Sequence, residues 1–205
     1  MARSWLDPRL CLLALVVATS AVAHARLQPA APDRTDLSHV PPLAVGDWVL
    51  RSGTGADSRV IRQLDGGEYS HIGMVVSLTP RVLIVHATTD DDPARLNQVL
   101  VSPLEEFVRP SLTRGFAIGR PEFLALDRRR VAAAKLLEQR GLPFRIEPRE
   151  RAHRYCTTLL ADAIRTEHAA FAPAWTRVSL AFHEGEYLLP RAFAEYPGVR
   201  WIHRQ

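Results

Sequence analysis

One thiol and two imidazoles are the residues of this chain whose types and spacing point to chemistry. Cys156 opens a predicted helix that begins Arg154-Tyr155-Cys156-Thr157-Thr158-Leu159-Leu160. The unbonded N–H groups and the positive dipole end of a helix start favour a thiolate, so position alone predicts an acidic thiol. His71 and His86 flank a predicted hairpin, Ser70 to Val76 and Val82 to His86, turning near Thr79-Pro80. Antiparallel pairing brings the two imidazoles close, although turn choice can move the register by a few residues. A neutral imidazole can take a thiol proton during attack and return it to the leaving group, while a third group holds the ring. The reading is therefore Cys156 as nucleophile, His71 as general base then acid, and His86 as the orienting group. Thr88, Asp90, Asp91 and Asp92 are alternatives for the last role. Tyr69, Ser70, Tyr155 and Asp47 are candidates for substrate binding, with Asp47 better suited to fixing a turn or hydrogen-bonding the strand. Cysteine and histidine also bind zinc, but no H-x-x-x-H or C-x-x-C spacing is present, so neither a metal nor an organic cofactor is expected.

Short elements must position these groups. Gly46 to Leu50 reads as a strand after a turn, and Ala56 to Leu64 as a helix with Val60, Ile61 and Leu64 on one side. Strands are predicted at Gln98 to Val101 and Gly115 to Gly119, with a helical turn at Leu104 to Val108. Asp127 is placed to cap a helix running through Val131, Leu136 and Leu137 to a stop at Gly141. Strands followed by helices predict an α+β domain, a small antiparallel β-sheet packed against helices.

Composition narrows the class further. With 205 residues, 47% hydrophobic and 23% charged, the chain supports one ordinary globular core. The net charge is +4, but Lys135 is the one lysine among 26 basic residues, and the arginines alternate with acids without forming a run. That pattern argues against nucleic-acid binding and is compatible with peripheral contact to an anionic envelope surface. Arg3 and Arg9 precede an apolar run from Leu10 to Ala18, followed by Ala23-His24-Ala25. This is the layout of a secretory signal spanning 1–25, whose apolar run is shorter than the ~20 apolar residues of a spanning helix. Residues 26–42, rich in Pro, Ala and Asp, read as a linker, and 43–205 as the folded domain. The mature chain is expected to be secreted or periplasmic, without an internal disulfide.

Taken together, Gly46-Asp47, Tyr69-Ser70-His71-Ile72-Gly73-Met74-Val75 and Tyr155-Cys156-Thr157 resemble the permuted papain-like amidases of the YaeF/YiiX type. These are related to NlpC-type cell-wall peptidases and to lecithin–retinol acyltransferase-like enzymes. Pro103 to Phe107, Gly141 to Phe144 and Gly185 to Pro190 extend the resemblance over about residues 43 to 202. It implies a circularly permuted papain-like (NlpC-like) fold, in which the histidine precedes the cysteine. It also implies a thiol hydrolase that cleaves an amide bond in the cell envelope through Cys156, His71 and His86, on a small-molecule, peptide or lipid-derived substrate. Two positions depart from the family pattern. Thr158 stands where a glutamate is common, which leaves a catalytically inactive envelope-binding module as one alternative. His86 stands where an acidic residue is common and resembles the acyltransferase-like branch, which leaves a lipid acyl hydrolase or acyltransferase as another.

Overall fold

The strand segments are apolar on both sides of the pleat, as required of a sheet covered on both faces. The computed structural model describes residues 33–180 and 183–204. Its elements are β1 (Trp48–Gly53), α1 (Ala56–Asp65), β2 (His71–Ser77), β3 (Leu83–Thr88), β4 (Gln98–Pro103), α2 (Leu104–Phe107) and β5 (Thr113–Pro121). They continue with α3 (Leu126–Glu138), α4 (Cys156–Glu167), β6 (Thr176–Leu180), β7 (His183–Tyr187), α5 (Arg191–Ala194) and β8 (Val199–Arg204). Six strands form one antiparallel sheet in the order β4-β3-β2-β1-β5-β8, and β6 pairs with β7 in a separate ribbon. The fold is mixed α/β, with helices packed on an antiparallel sheet.

The two-residue period divides the core. Trp48, Leu50, Ile72, Met74 and Val85 share one face with Ala132, Ala133 and Leu136 of α3 and with Leu159, Leu160 and Ile164 of α4. Val49, Val75, Ile84, Phe116 and Ile118 share the other with Leu104 and Phe107 of α2. Leu37, Val40 and Leu43 pack on this second face, and Asp33 accepts hydrogen bonds from the Ser111 backbone N–H at 2.8 Å and its hydroxyl at 2.6 Å. The described part of the segment read as a linker thus lies along the domain. The expected signal sequence, 1–25, lies outside the described residues. Among the described residues no helix is long and apolar enough to cross a membrane.

Several local expectations change. Helix α3 begins two residues earlier, with Ala125 at its cap position and no side-chain cap bond. Asp127 lies inside the first turn, paired with Arg130 at 3.2 Å, where its charge still favours the helix start. Val131 and Leu137 are exposed, and the buried stripe is the smaller set Ala132, Ala133 and Leu136. A close-packed sheet face admits alanine where a larger side chain would not fit. Strands β6, β7 and β8 carry no clear apolar alternation and are additions to the predicted elements.

The start of α4 is fastened by its own residues. Thr158, at the third helical position, accepts from the Tyr155 N–H at 3.0 Å and donates to the Tyr155 carbonyl at 3.2 Å. Thr158 thus makes the reach-back contact to the cap N–H that a glutamate commonly makes at the third helical position. The Thr157 hydroxyl donates to the Leu188 carbonyl at 2.6 Å, and the Leu188 N–H donates to the Tyr155 hydroxyl at 2.9 Å. Thr158→Val keeps the shape but orphans a buried N–H, so it should cost about 1–3 kcal/mol of unfolding free energy. Urea titration measures this, and unchanged stability would show that the bond fixes nothing.

Candidate functional site

His71 is the first residue of β2 and pairs directly across from Arg51 of β1. Cross-strand partners project to the same face, here the face of Val49, Val75 and Ile84. His86 lies on neighbouring β3, and Gly73 makes room between the two histidines. A Cβ at Gly73 would collide with Ile84 and lie 3.3 Å from the His86 Cβ. Across that gap His71 Nε2 meets His86 Nδ1 at 3.0 Å, and His86 Nε2 meets the Ser102 hydroxyl at 3.0 Å. The Phe107 ring lies 5.5 Å from the His71 ring and 4.9 Å from the His86 ring, between centroids.

Cys156 arrives from the opposite face of the sheet, where α4 begins. The backbone N–H groups of Ile72, Thr157 and Cys156 itself favour the charged form of the sulfur. Cys156 and His71 line one cavity of about 170 Å³, with Arg51, Ser70 and Tyr155 also in its wall. The enclosed volume is below the ~300 Å³ of a full ligand pocket, enough for a reacting group and its nearest neighbours. Ile61, Phe144 and Leu189 supply apolar wall near the thiol. His71 Nε2 is engaged by His86, which leaves Nδ1 as the ring nitrogen not used in that bond.

A buried ion pair stands behind the histidines. Arg51 Nη2 contacts both carboxylate oxygens of Asp91 at 2.7 Å, and Nη1 donates to the Phe107 carbonyl at 2.8 Å. Asp91 Oδ2 lies 3.6 Å from His86 Nδ1. Burial, the Arg51 charge and His86 hold His71 well below its ordinary value of 6.5, with Asp91 opposing. Burial drives His86 down to about 4, again against Asp91. Burial alone would raise the Asp91 carboxyl, but Arg51 and the histidines keep it well below the usual carboxylate range. Both imidazoles are therefore neutral at pH 7.

The thiol departs from its expected state. Burial pushes Cys156 up to about 11, against the hydrogen bonds from Ile72 and Thr157 and the charge of Arg51. Helix-start placement does not produce a resting thiolate, because burial of Cys156, only 8% exposed, disfavours the charged form.

The other predicted residues divide. Ser70 lines the cavity and accepts from the Gly53 N–H at 2.9 Å. Tyr155 lines it as well, with its hydroxyl engaged by Leu188. Tyr69 instead lies in the core, stacked on Trp201 at 6.4 Å. Asp47 is fully buried away from the cavity, accepting from the Ala44 N–H at 2.7 Å and from Arg120 at 2.7 and 2.8 Å, and pairing with Arg129 at 3.3 Å. Its role is to tie the β1 start to β5 and α3. Sequence reasoning missed Arg51, Ser102 and Phe107, and held Asp91 only as one of four alternatives.

The histidine shifts carry a stability signature. An unfolded histidine takes up its proton near 6.5, whereas folded His86 does so only near 4. As pH falls through that window the unfolded state gains protons first, so stability falls. His71 acts in the same direction. Asp65, pushed up from 3.8 to about 6 by burial, acts oppositely over part of the same range. Urea unfolding of parent and His86→Gln proteins at several pH values isolates the histidine: the variant should lose less stability between pH 6.5 and 4. Parallel pH dependences would mean that His86 is not a buried neutral imidazole.

No family model matches the chain, and no curated protein does. Among solved structures the fold is similar to the crystal structure of the metalloprotein YiiX from Escherichia coli O157:H7, at a TM-score of 0.65 and 14% sequence identity, over 79% of this chain and 97% of that one. The likeness is one of fold: this chain shares the architecture of YiiX.

Proposed function

We propose that the protein is a cysteine-nucleophile hydrolase of permuted papain-like (NlpC-like) architecture that cleaves an amide bond in the cell envelope. The observation that carries this reading is the 3.0 Å bond from His71 Nε2 to His86 Nδ1, with His71 itself in the wall of the cavity that Cys156 also lines. It leaves His71 Nδ1 for the thiol when Nε2 carries the proton and donates to His86, whose own Nε2–H then donates to Ser102. Export directed by residues 1–25 would deliver the enzyme to that compartment.

With a thiol near 11 and His71 well below 6.5, proton transfer in the empty site is uphill. It therefore accompanies attack: the sulfur bonds to the carbonyl carbon while its proton passes to His71 Nδ1. Negative charge moves to the carbonyl oxygen, where backbone N–H groups at the α4 start, Cys156 first, can receive it. The C–N bond then breaks as His71 returns the proton to the departing amine. Water hydrolyses the thioester, giving its proton to His71 and then to sulfur. The net reaction is amide plus water to acid plus amine.

One observation favours a second reading, a metal centre like that named for YiiX. A nitrogen of His71, a nitrogen of His86 and an oxygen of Asp91 all lie within 4.8 Å of one another. These residues do not fit a metal as they stand. Arg51 already covers both Asp91 oxygens, and the histidine nitrogens bond to each other.

Incubation with peptidoglycan fragments and acyl lipids, followed by intact-protein mass spectrometry, tests the hydrolase and identifies its acyl donor. An acyl adduct should form on Cys156, and Cys156→Ala should lose both adduct and turnover. His86→Gln should lower kcat by ~10²–10⁴-fold with little change in KM. Hydrolysis that survives Cys156→Ala would refute the assignment.

A further inference from the structure

The cluster of His71, His86 and Asp91, of which His71 and Asp91 line the cavity, has the composition of a divalent-metal site, since two imidazoles and one carboxylate form a common transition-metal donor set. A guanidinium is built into it. The Arg51 side chain is 6% exposed, holds Asp91 through two 2.7 Å contacts, donates to the Phe107 carbonyl at 2.8 Å and lies 4.6 Å over the Phe107 ring. Backbone pairing fixes it opposite His71. A divalent ion bound here would compete for the same carboxylate oxygens. It would also place two positive charges beside a permanent third in a region with one carboxylate and little water. Ligation would break the His71–His86 hydrogen bond as well, because a nitrogen lone pair bound to a metal can no longer accept a proton.

We propose that Arg51 is the resident cation of this site, standing in for a divalent ion in the His71–His86–Asp91 cluster and excluding metal from it. It is a positioning residue that acts through Asp91. With the carboxylate claimed by the guanidinium, the imidazoles are left to bond to each other and to Ser102. Replacing the guanidinium with an uncharged stem should turn the same three side chains into ligands. Hydrolysis does not enter this inference, so metal binding and turnover can fail independently.

The test is a Co²⁺ titration of the full chain carrying Cys156→Ala, which removes the thiol as a competing ligand. Visible absorption reports the ligand field of the bound ion. The parent should give no Co²⁺ spectrum that depends on His86. Adding Arg51→Met keeps an apolar stem against Phe107 and removes the charge. It should tighten Co²⁺ binding about a hundredfold or more, with a spectrum lost on further His86→Ala or Asp91→Asn substitution. Arg51→Gln is the second variant if Arg51→Met does not fold by circular dichroism. Co²⁺ binding by the parent that His86→Ala abolishes would overturn the proposal, and so would a folded Arg51 variant that binds no more tightly than the parent.

Discussion

The Arg51–Asp91 ion pair, buried behind two neutral imidazoles, sets the terms for the rest of the candidate site. Two charges withdrawn from water are costly unless they satisfy each other, and removing one partner from such a pair costs about 3–5 kcal/mol. Three separate parts of the fold meet to satisfy them. Strand β1 supplies Arg51, the loop after β3 supplies Asp91, and the end of α2 supplies the Phe107 carbonyl. The second face of the sheet exists around this pair, with Phe107 covering both histidine rings and the guanidinium.

Burial then decides the protonation of the reactive groups. The field at a helix start is worth about 0.3–1 kcal/mol. Raising a thiol from 9.0 to about 11 corresponds to about 3 kcal/mol, so desolvation outweighs the dipole at Cys156. The same desolvation lowers both imidazoles. The resting site thus holds an uncharged thiol and an uncharged histidine pair, with Cys156 and His71 in the wall of one cavity. In the proposed hydrolase, negative charge becomes favourable only when it can move from sulfur to a carbonyl oxygen near the α4 N–H groups. A neutral His86 also explains why Asp91 can lie 3.6 Å away without being a direct hydrogen-bond partner.

Much of the frame was legible because it rests on local patterns. The hairpin joining His71 to His86 follows from two apolar, β-branched runs across a short turn, and the α4 start from the polar-to-apolar change at Cys156. The meeting of the histidines was readable to within a register that only the covered sheet could fix, through Gly73 beneath His86. Arg51 was not legible. An arginine in a strand ordinarily marks a solvent face, and its burial depends on an aspartate 40 residues away in an irregular loop. Ser102 carries no local signal, since a serine near a strand end is ordinary until the strand pairs with β3. Asp47 misled for the opposite reason: its partners Arg120 and Arg129 are more than 70 residues distant, so its turn position was visible and its ion pairs were not.

The central claim is that His71 and His86 form a neutral, hydrogen-bonded pair beside a protonated thiol. Long-range ¹H–¹⁵N correlation spectroscopy of the imidazole nitrogens at pH 7 tests it most directly. The account predicts two neutral rings, with the His71 proton on Nε2 and the His86 proton on Nε2, unchanged when Cys156 is replaced by Ala. Chemical shifts of an imidazolium at either residue, lost in the Cys156→Ala protein, would contradict it by revealing a resting thiolate–imidazolium pair.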